Sequence, residues 1–279
     1  MLIDTHAHLN FSAFKDDVDE VVSRAGSSGM KVINVGSQFS TSQRAVELAK
    51  KYPGVCYAAI GLHPIHLFEM FVDVEEAPFN SRREDYQAEA YRVLAKNPGV
   101  VAIGEVGLDY FQMPTNMTKA DFKIKQKWVF LKQLQLAKEL KLPVILHCRG
   151  DKEEMERAYL DMLHVLKEVD YQRVVVHCYT ADWETAKKFL DFGAMLSFTG
   201  IITYPKTEKL ATVVKRAPLD KIMVETDCPY LAPQIVRGQR NEPRFVQYVA
   251  GRIADIKGLS YDEVEEQTSK NAVSFFNLT

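Results

Sequence analysis

The chain is poor in cysteine: Cys56, Cys148, Cys178 and Cys228 are the four in 279 residues. None stands in a CxxC pair, which argues against a structural zinc knuckle or a redox couple. No apolar run approaches the roughly 18 residues of a membrane span. No basic stretch precedes the first apolar segment, so no signal peptide is read, and the expectation is a cytoplasmic protein with reduced thiols. Charge of one sign is missing too. A net charge of −2 argues against a basic protein that wraps nucleic acid, but leaves room for an enzyme that grips a few phosphates. Low-complexity tracts and Gly/Ser linkers are absent, so residues 1–279 read as a single domain. A glycine-rich phosphate loop after the first strand is also absent, which argues against an open dinucleotide-binding sheet.

What is present is alternation. Short β-branched runs at 2–8, 32–36, 56–61, 100–105, 144–147, 173–177, 194–198 and 222–226 predict eight strands. Helical patterns at 16–28, 40–52, 84–96, 121–140, 152–169, 183–192 and 207–216 separate them, and two more, at 243–257 and 260–276, close the chain. Strict alternation implies parallel strands joined by crossover helices. Eight such units in a chain of this length fit a (β/α)8 TIM barrel of the α/β class, with one helix beyond the minimal set. Residues 66–83 and 111–119 read as long irregular loops on the active face.

In such a barrel the functional groups gather at the C-terminal strand ends. His6 and His8 end the first run. Spaced i, i+2 on a strand, they share a face, with Thr5 and Ala7 on the other. His63 follows the third run, Glu105 ends the fourth, and His147 ends the fifth, with Arg149 two residues on. His177 ends the sixth, and Asp227 follows the eighth with Glu225 two residues before it. Cys148, Cys178 and Cys228 each follow one of these residues directly, so the pleat turns them toward the helices as small core side chains. Four imidazoles and two carboxylates exceed the needs of one tetrahedral zinc. They suit two divalent ions, which together clamp the attacking and leaving oxygens of a phosphoryl displacement. Glu105 is central enough to reach both ions, and Asp227 can hold one and accept a proton from water.

The stretches Ile3-Asp4-Thr5-His6-Ala7-His8-Leu9, Gly61-Leu62-His63-Pro64 and Ala102-Ile103-Gly104-Glu105-Val106-Gly107-Leu108-Asp109-Tyr110 resemble the TatD family of metal-dependent deoxyribonucleases, within the amidohydrolase-like barrels. So do Leu142-Pro143-Val144-Ile145-Leu146-His147-Cys148-Arg149, Val176-His177-Cys178, Val224-Glu225-Thr226-Asp227-Cys228-Pro229-Tyr230-Leu231 and Arg240-Asn241-Glu242-Pro243. Seven matches in order span nearly the whole chain. The resemblance implies a divalent-metal hydrolase that removes nucleotides from DNA ends or single strands. It implies His6, His8 and Asp227 on one ion, His147 and His177 on the other, and Glu105 between them. His63 and Arg149 would meet the scissile phosphate, and Glu225 would support the metal-binding side chains from behind. Asp109 and the Asn241-Glu242 pair look like loop-fixing groups. Imidazole-rich donors favour Zn, Mn, Fe or Ni over Mg, whereas the resemblance implies activity with Mg; two divalent ions, Mg, Mn or Zn, are expected.

On the active face, Phe68, Phe71, Tyr110 and Phe111 could stack bases, and Arg82, Arg83, Lys119 and Arg240 could meet phosphates. A monomer or weak oligomer with no membrane partner is expected. Two readings compete with the nuclease. One is a metal-dependent hydrolase of a small ester, lactone or amide, in whose near relatives a carboxylated lysine often bridges the ions. No lysine stands at the ends of the fourth or fifth runs here. The other is a non-enzymatic scaffold, which should have lost ligands; all six are present.

Overall fold

In a computed structural model the protein is described at residues 1–72 and 79–278. β1 (Ile3–Ala7), β2 (Lys31–Val35) and β3 (Cys56–Ile60) begin a parallel sheet. A small antiparallel hairpin follows, β4 (Met70–Val72) with β5 (Phe79–Ser81). The sheet continues through β6 (Val100–Asp109), β7 (Val144–Arg149), β8 (Val174–Val176), β9 (Met195–Phe198) and β10 (Ile222–Val224). Its order, β1-β2-β3-β6-β7-β8-β9-β10, is that of the expected eight-stranded barrel. The ring closes where Ala7 bridges Cys228. The Asp227 N–H donates to the His6 carbonyl and the His8 N–H to the Cys228 carbonyl, each at 2.8 Å.

Helices α1 (Val18–Ser27), α2 (Phe39–Lys51), α3 (Ala88–Leu94), α4 (Lys119–Leu140), α5 (Met155–Val169), α6 (Trp183–Phe192), α7 (Glu208–Arg216) and α8 (Val246–Lys257) separate or follow the strands. They bury apolar side chains against the outward-facing strand residues Val32, Ala58, Ile103, Leu146 and Leu196. Inside the ring a second apolar layer forms from Ile3, Ile33, Ala59, Ala102, Ile145, Val175 and Met223. The additional helix α9 (Tyr261–Phe276) presses Ala272 and Phe276 onto that layer. The extra C-terminal helix therefore plugs one end of the barrel and leaves the other for chemistry.

Several boundaries differ from expectation, each for a local reason. The fourth barrel strand, β6, runs on to Asp109 because Val106 to Asp109 keep pairing with Leu146 to Arg149 of β7. The third helix starts at Ala88, not 84. The Glu84 carboxylate instead accepts from the Phe39 N–H at 3.1 Å and the Tyr91 hydroxyl at 3.1 Å, which ties the preceding segment down in a non-helical path. The loop expected at 66–83 contains the β4–β5 hairpin, and its residues 73–78 lie outside the described part. Thr5 does not lie opposite His6. The register of β1 against β2 shifts between Asp4 and Ala7, and Thr5 points inward, 3.3 Å from the Ser197 hydroxyl.

Candidate metal centre

The side chains of the centre hang from the barrel strands or from the residues just past their C-terminal ends. Glu105, buried on β6, lies in the middle, and its two oxygens face different neighbours. Oε2 is 3.6 Å from His6 Nε2 and 3.9 Å from His8 Nε2. Oε1 is 2.7 Å from His147 Nδ1, 2.7 Å from His177 Nε2 and 3.4 Å from His63 Nε2. Asp227 completes the first set, with Oδ1 3.3 Å from His8 Nε2 and 3.6 Å from His6 Nε2. Among the described residues three groups of donors have the spacing to hold an ion: His6, His8 and Asp227; His6, Glu105 and His177, which shares His6 with the first; and, separate from both, His63, Asp109 and His147.

The outer edges of the imidazoles decide what their inner edges offer. His8 Nδ1 lies 2.8 Å from the Val35 carbonyl. A carbonyl only accepts, so Nδ1 carries the proton and the Nε2 lone pair faces the centre. His147 Nε2 lies 3.0 Å from Asp109 Oδ2, which leaves Nδ1 to face inward. His177 Nδ1 is 3.4 Å from Glu225 Oε1, with Nε2 inward. His6 Nδ1 has no hydrogen-bond partner among the described residues, and its Nε2 lies 3.2 Å from that of His8. Buried imidazole lone pairs and carboxylate oxygens that converge this closely fit divalent cations. His63 differs. Its Nδ1 accepts the Ile65 N–H at 3.1 Å, so its neutral ring presents an Nε2–H donor.

The electrostatics follow from burial and from neighbours. Burial pushes Glu105 upward, but the His177 charge and the close ring nitrogens of His147 and His177 outweigh it and hold the carboxyl well below its ordinary range. Asp227 is likewise lowered, because the His8 hydrogen bond and the His6 charge overcome its burial. Burial and the nearby His147 lower His63, consistent with a neutral ring.

The supporting residues were only partly foreseen. Glu225 is fully buried and accepts the Cys178 N–H at 2.6 Å while facing His177. Asp109 does fix its loop, since Oδ1 accepts the Phe111 N–H at 2.9 Å, but its other oxygen meets His147. The spacing of histidines and carboxylates does not single out Asp4. It accepts the Thr226 N–H at 2.9 Å, the Thr226 hydroxyl at 2.5 Å and the His6 N–H at 3.2 Å, which ties β1 to the turn that carries Asp227. Burial pushes its carboxyl up to about 8. The signal in the sequence was a carboxylate directly inside an apolar strand start. Asn241 fixes the same turn by donating to the Thr226 carbonyl at 2.9 Å and the Tyr230 carbonyl at 2.6 Å.

Cys148 and Cys228 are buried in the layer between strands and helices, as the pleat implied. Cys178 is not. β8 stops at Val176, and Cys178 takes φ +43°, which rotates its side chain out of the pleat to within 3.6 Å of the Thr199 hydroxyl.

A family model described as TatD related DNase matches residues 3–277. The chain belongs to that family. It is 37% identical over its full length, and that of the relative, to a protein of Bacillus subtilis named uncharacterized metal-dependent hydrolase YabD. It is 32% identical, over 99% of the chain and 100% of the relative, to the Erwinia amylovora protein named 3'-5' ssDNA/RNA exonuclease TatD. The crystal structure of YjjV, a TatD homolog from Escherichia coli, superposes with a TM-score of 0.82 at 29% identity, covering 100% of this chain and 98% of that one. As a TatD member the chain is a metal-dependent hydrolase with the barrel described above. No helix among the described residues is long and apolar enough to cross a membrane.

Of the loop residues expected to meet nucleic acid, several are committed elsewhere. Arg240 pairs with Asp17 through both terminal nitrogens, at 2.9 and 2.5 Å, and covers Phe14. Lys119 pairs with Asp151 at 2.8 Å and Arg83 with Asp85 at 3.2 Å. Phe68 and Tyr110 are buried as packing groups. Phe71 is exposed, and Phe111 lies beneath the Arg149 guanidinium, 3.6 Å from its ring centre.

Proposed function

We propose that the chain is a divalent-metal-dependent phosphodiesterase that hydrolyses DNA as an exonuclease, working from ends or on single strands. The observation that carries this reading is the division of Glu105: one carboxylate offers separate oxygens to two sets of imidazoles. His6, His8 and Asp227 would hold one ion, His147 and His177 the other, with Glu105 shared. Divalent ions there would supply Lewis-acid charge that offsets a phosphate and acidifies water. Asp227, ionised at neutral pH, is placed to accept a proton from the attacking water. The neutral His63 offers its Nε2–H to a phosphate oxygen. Arg149, exposed at the end of β7, offers a planar guanidinium to the same group. Supporting the substrate class is the Erwinia relative, whose name assigns it single-stranded DNA and RNA.

The test is incubation of purified protein with labelled single-stranded DNA, duplex DNA and RNA, each with Mg, Mn or Zn. Metal-dependent shortening of single-stranded DNA is expected. Absence of shortening with every metal would end this reading. Hydrolysis of carboxyl esters or lactones without hydrolysis of bis(p-nitrophenyl) phosphate would favour the small-molecule alternative.

A second expectation concerns the side chains behind the ligands. Glu225→Gln keeps an acceptor for the Cys178 N–H but removes the charge that faces His177. Metal affinity, read by calorimetric titration, should fall by roughly 10–100-fold, the usual effect of losing such a partner. Unchanged affinity would show that Glu225 serves the backbone alone.

A further inference from the structure

Arg149 stands exposed at the end of β7, two residues beyond His147 on the same strand. A free arginine samples many rotamers, and a phosphate that binds it must first still them. Here one contact already restrains it. The guanidinium carbon lies 3.6 Å from the ring centre of Phe111. At that separation the two planes lie face to face, because an edge-on guanidinium would drive a nitrogen into the ring. Lys152 approaches the same ring from farther out, at 5.5 Å.

The ring is held in place from the centre itself. β6 and β7 stay in register as far as Asp109 and Arg149, and the Tyr110 N–H then donates to the Arg149 carbonyl at 2.7 Å. The next N–H, that of Phe111, is taken by Asp109 Oδ1 at 2.9 Å, so the chain turns just past the strand and brings the half-buried Phe111 back over β7. The other oxygen of Asp109 lies 3.0 Å from His147 Nε2. One carboxylate thus fixes an imidazole of the centre and the backbone that carries the ring.

A stacked guanidinium keeps its donors. Its N–H bonds lie in its plane, so a contact across the face leaves the edges for a phosphate. A carboxylate partner takes an edge instead, as Asp17 takes both terminal nitrogens of Arg240. Phe111 therefore orders Arg149 without using up the groups that recognise an anion. One face of the ring expected to stack a base is occupied by this arginine.

We propose that Phe111 is a positioning residue for Arg149, its ring holding the guanidinium so that an edge meets the scissile phosphate beside His147. The proposal rests on the phosphodiesterase reading above, and within it on Arg149 as a phosphate contact.

The experiment is a double-mutant cycle on the full chain, with kcat/KM measured on a short single-stranded oligodeoxynucleotide. Arg149→Met should lower kcat/KM by roughly 10–100-fold, the range for a lost hydrogen bond to a charged group. Phe111→Leu keeps apolar bulk but no aromatic face, and should cost roughly 3–5-fold. In the Arg149→Met background the same change should cost nothing further. Phe111→Tyr keeps the face and should restore wild-type kcat/KM. Metal affinity, read by calorimetric titration of Phe111→Leu, should be unchanged, because Asp109 binds the N–H that leucine also supplies. A loss on Phe111→Leu that is equally large without Arg149 overturns the proposal, since a ring that packs the loop or stacks a base acts independently of the arginine. A fall in metal affinity overturns it too, by placing the effect in the centre. Arg149→Met with wild-type kcat/KM overturns the phosphate contact on which the proposal rests, and wild-type protein that leaves the oligonucleotide intact overturns the DNA reading itself.

Discussion

Asp227→Asn should lower turnover on single-stranded DNA by at least ~10²-fold, the lower end expected for loss of a general base. Asparagine is the sharper probe because of the backbone. Asp227 adopts φ +57°, a left-handed conformation that Asp and Asn tolerate and that costs alanine about 1 kcal/mol. Asp227→Ala should lose at least as much activity, but mixes chemistry with strain. The turn itself is held independently of the side chain, by the Asp227 N–H on the His6 carbonyl and by Asn241 on the residues either side. Asparagine therefore leaves the scaffold standing and removes the charge and the basicity. Elemental analysis then separates two roles. A variant that keeps both ions but has lost kcat assigns Asp227 the proton; one that has lost an ion assigns it mainly to binding. Activity within about threefold of wild type would remove Asp227 from the mechanism.

The barrel was legible because its signal is global: eight β-branched runs alternating with amphipathic ones leave few other topologies. The centre was legible for the same reason, since a parallel barrel sends all its strand ends to one face. What sequence could not supply was where each strand stops. β6 continues four residues beyond Glu105 because β7 keeps pairing with it, and this brings Asp109 up behind His147. β8 stops before His177, and one residue with positive φ then sends Cys178 away from the core. Pairing partners of this kind are distant in the chain, so local pattern is silent about them. The orientation of the imidazoles was equally hidden. It depends on the Val35 carbonyl, Asp109 and Glu225, none adjacent in sequence to the ring it orients. Loop charges were the least legible, because an exposed arginine reads the same whether it stacks on an aromatic ring with no carboxylate partner among the described residues, like Arg149, or is committed to a carboxylate, like Arg240.

The His6→Ala/His8→Ala double variant should bind one divalent ion fewer than wild type, lose DNA hydrolysis, and still fold. Its effect on metal is large because it removes two of the three donors, apart from Glu105, that would form the first site. The folding claim rests on what remains. The ring closes through the His6 carbonyl and the His8 N–H, and alanine supplies both. The Val35 carbonyl that His8 leaves behind still accepts Asn10 Nδ2 at 3.0 Å. Lost are two stacking contacts, His6 on His177 at 4.1 Å and His8 on Phe11 at 4.2 Å between ring centres. Gained is the removal of a buried His6 Nδ1 that has no hydrogen-bond partner among the described residues, a group that costs about 1–3 kcal/mol where it is found. These terms oppose each other, so urea unfolding in the presence of chelator should shift by no more than about 2 kcal/mol, the low end for truncating buried side chains. A folded double variant that still takes up both ions would mean that the imidazoles at the head of the chain do not hold metal.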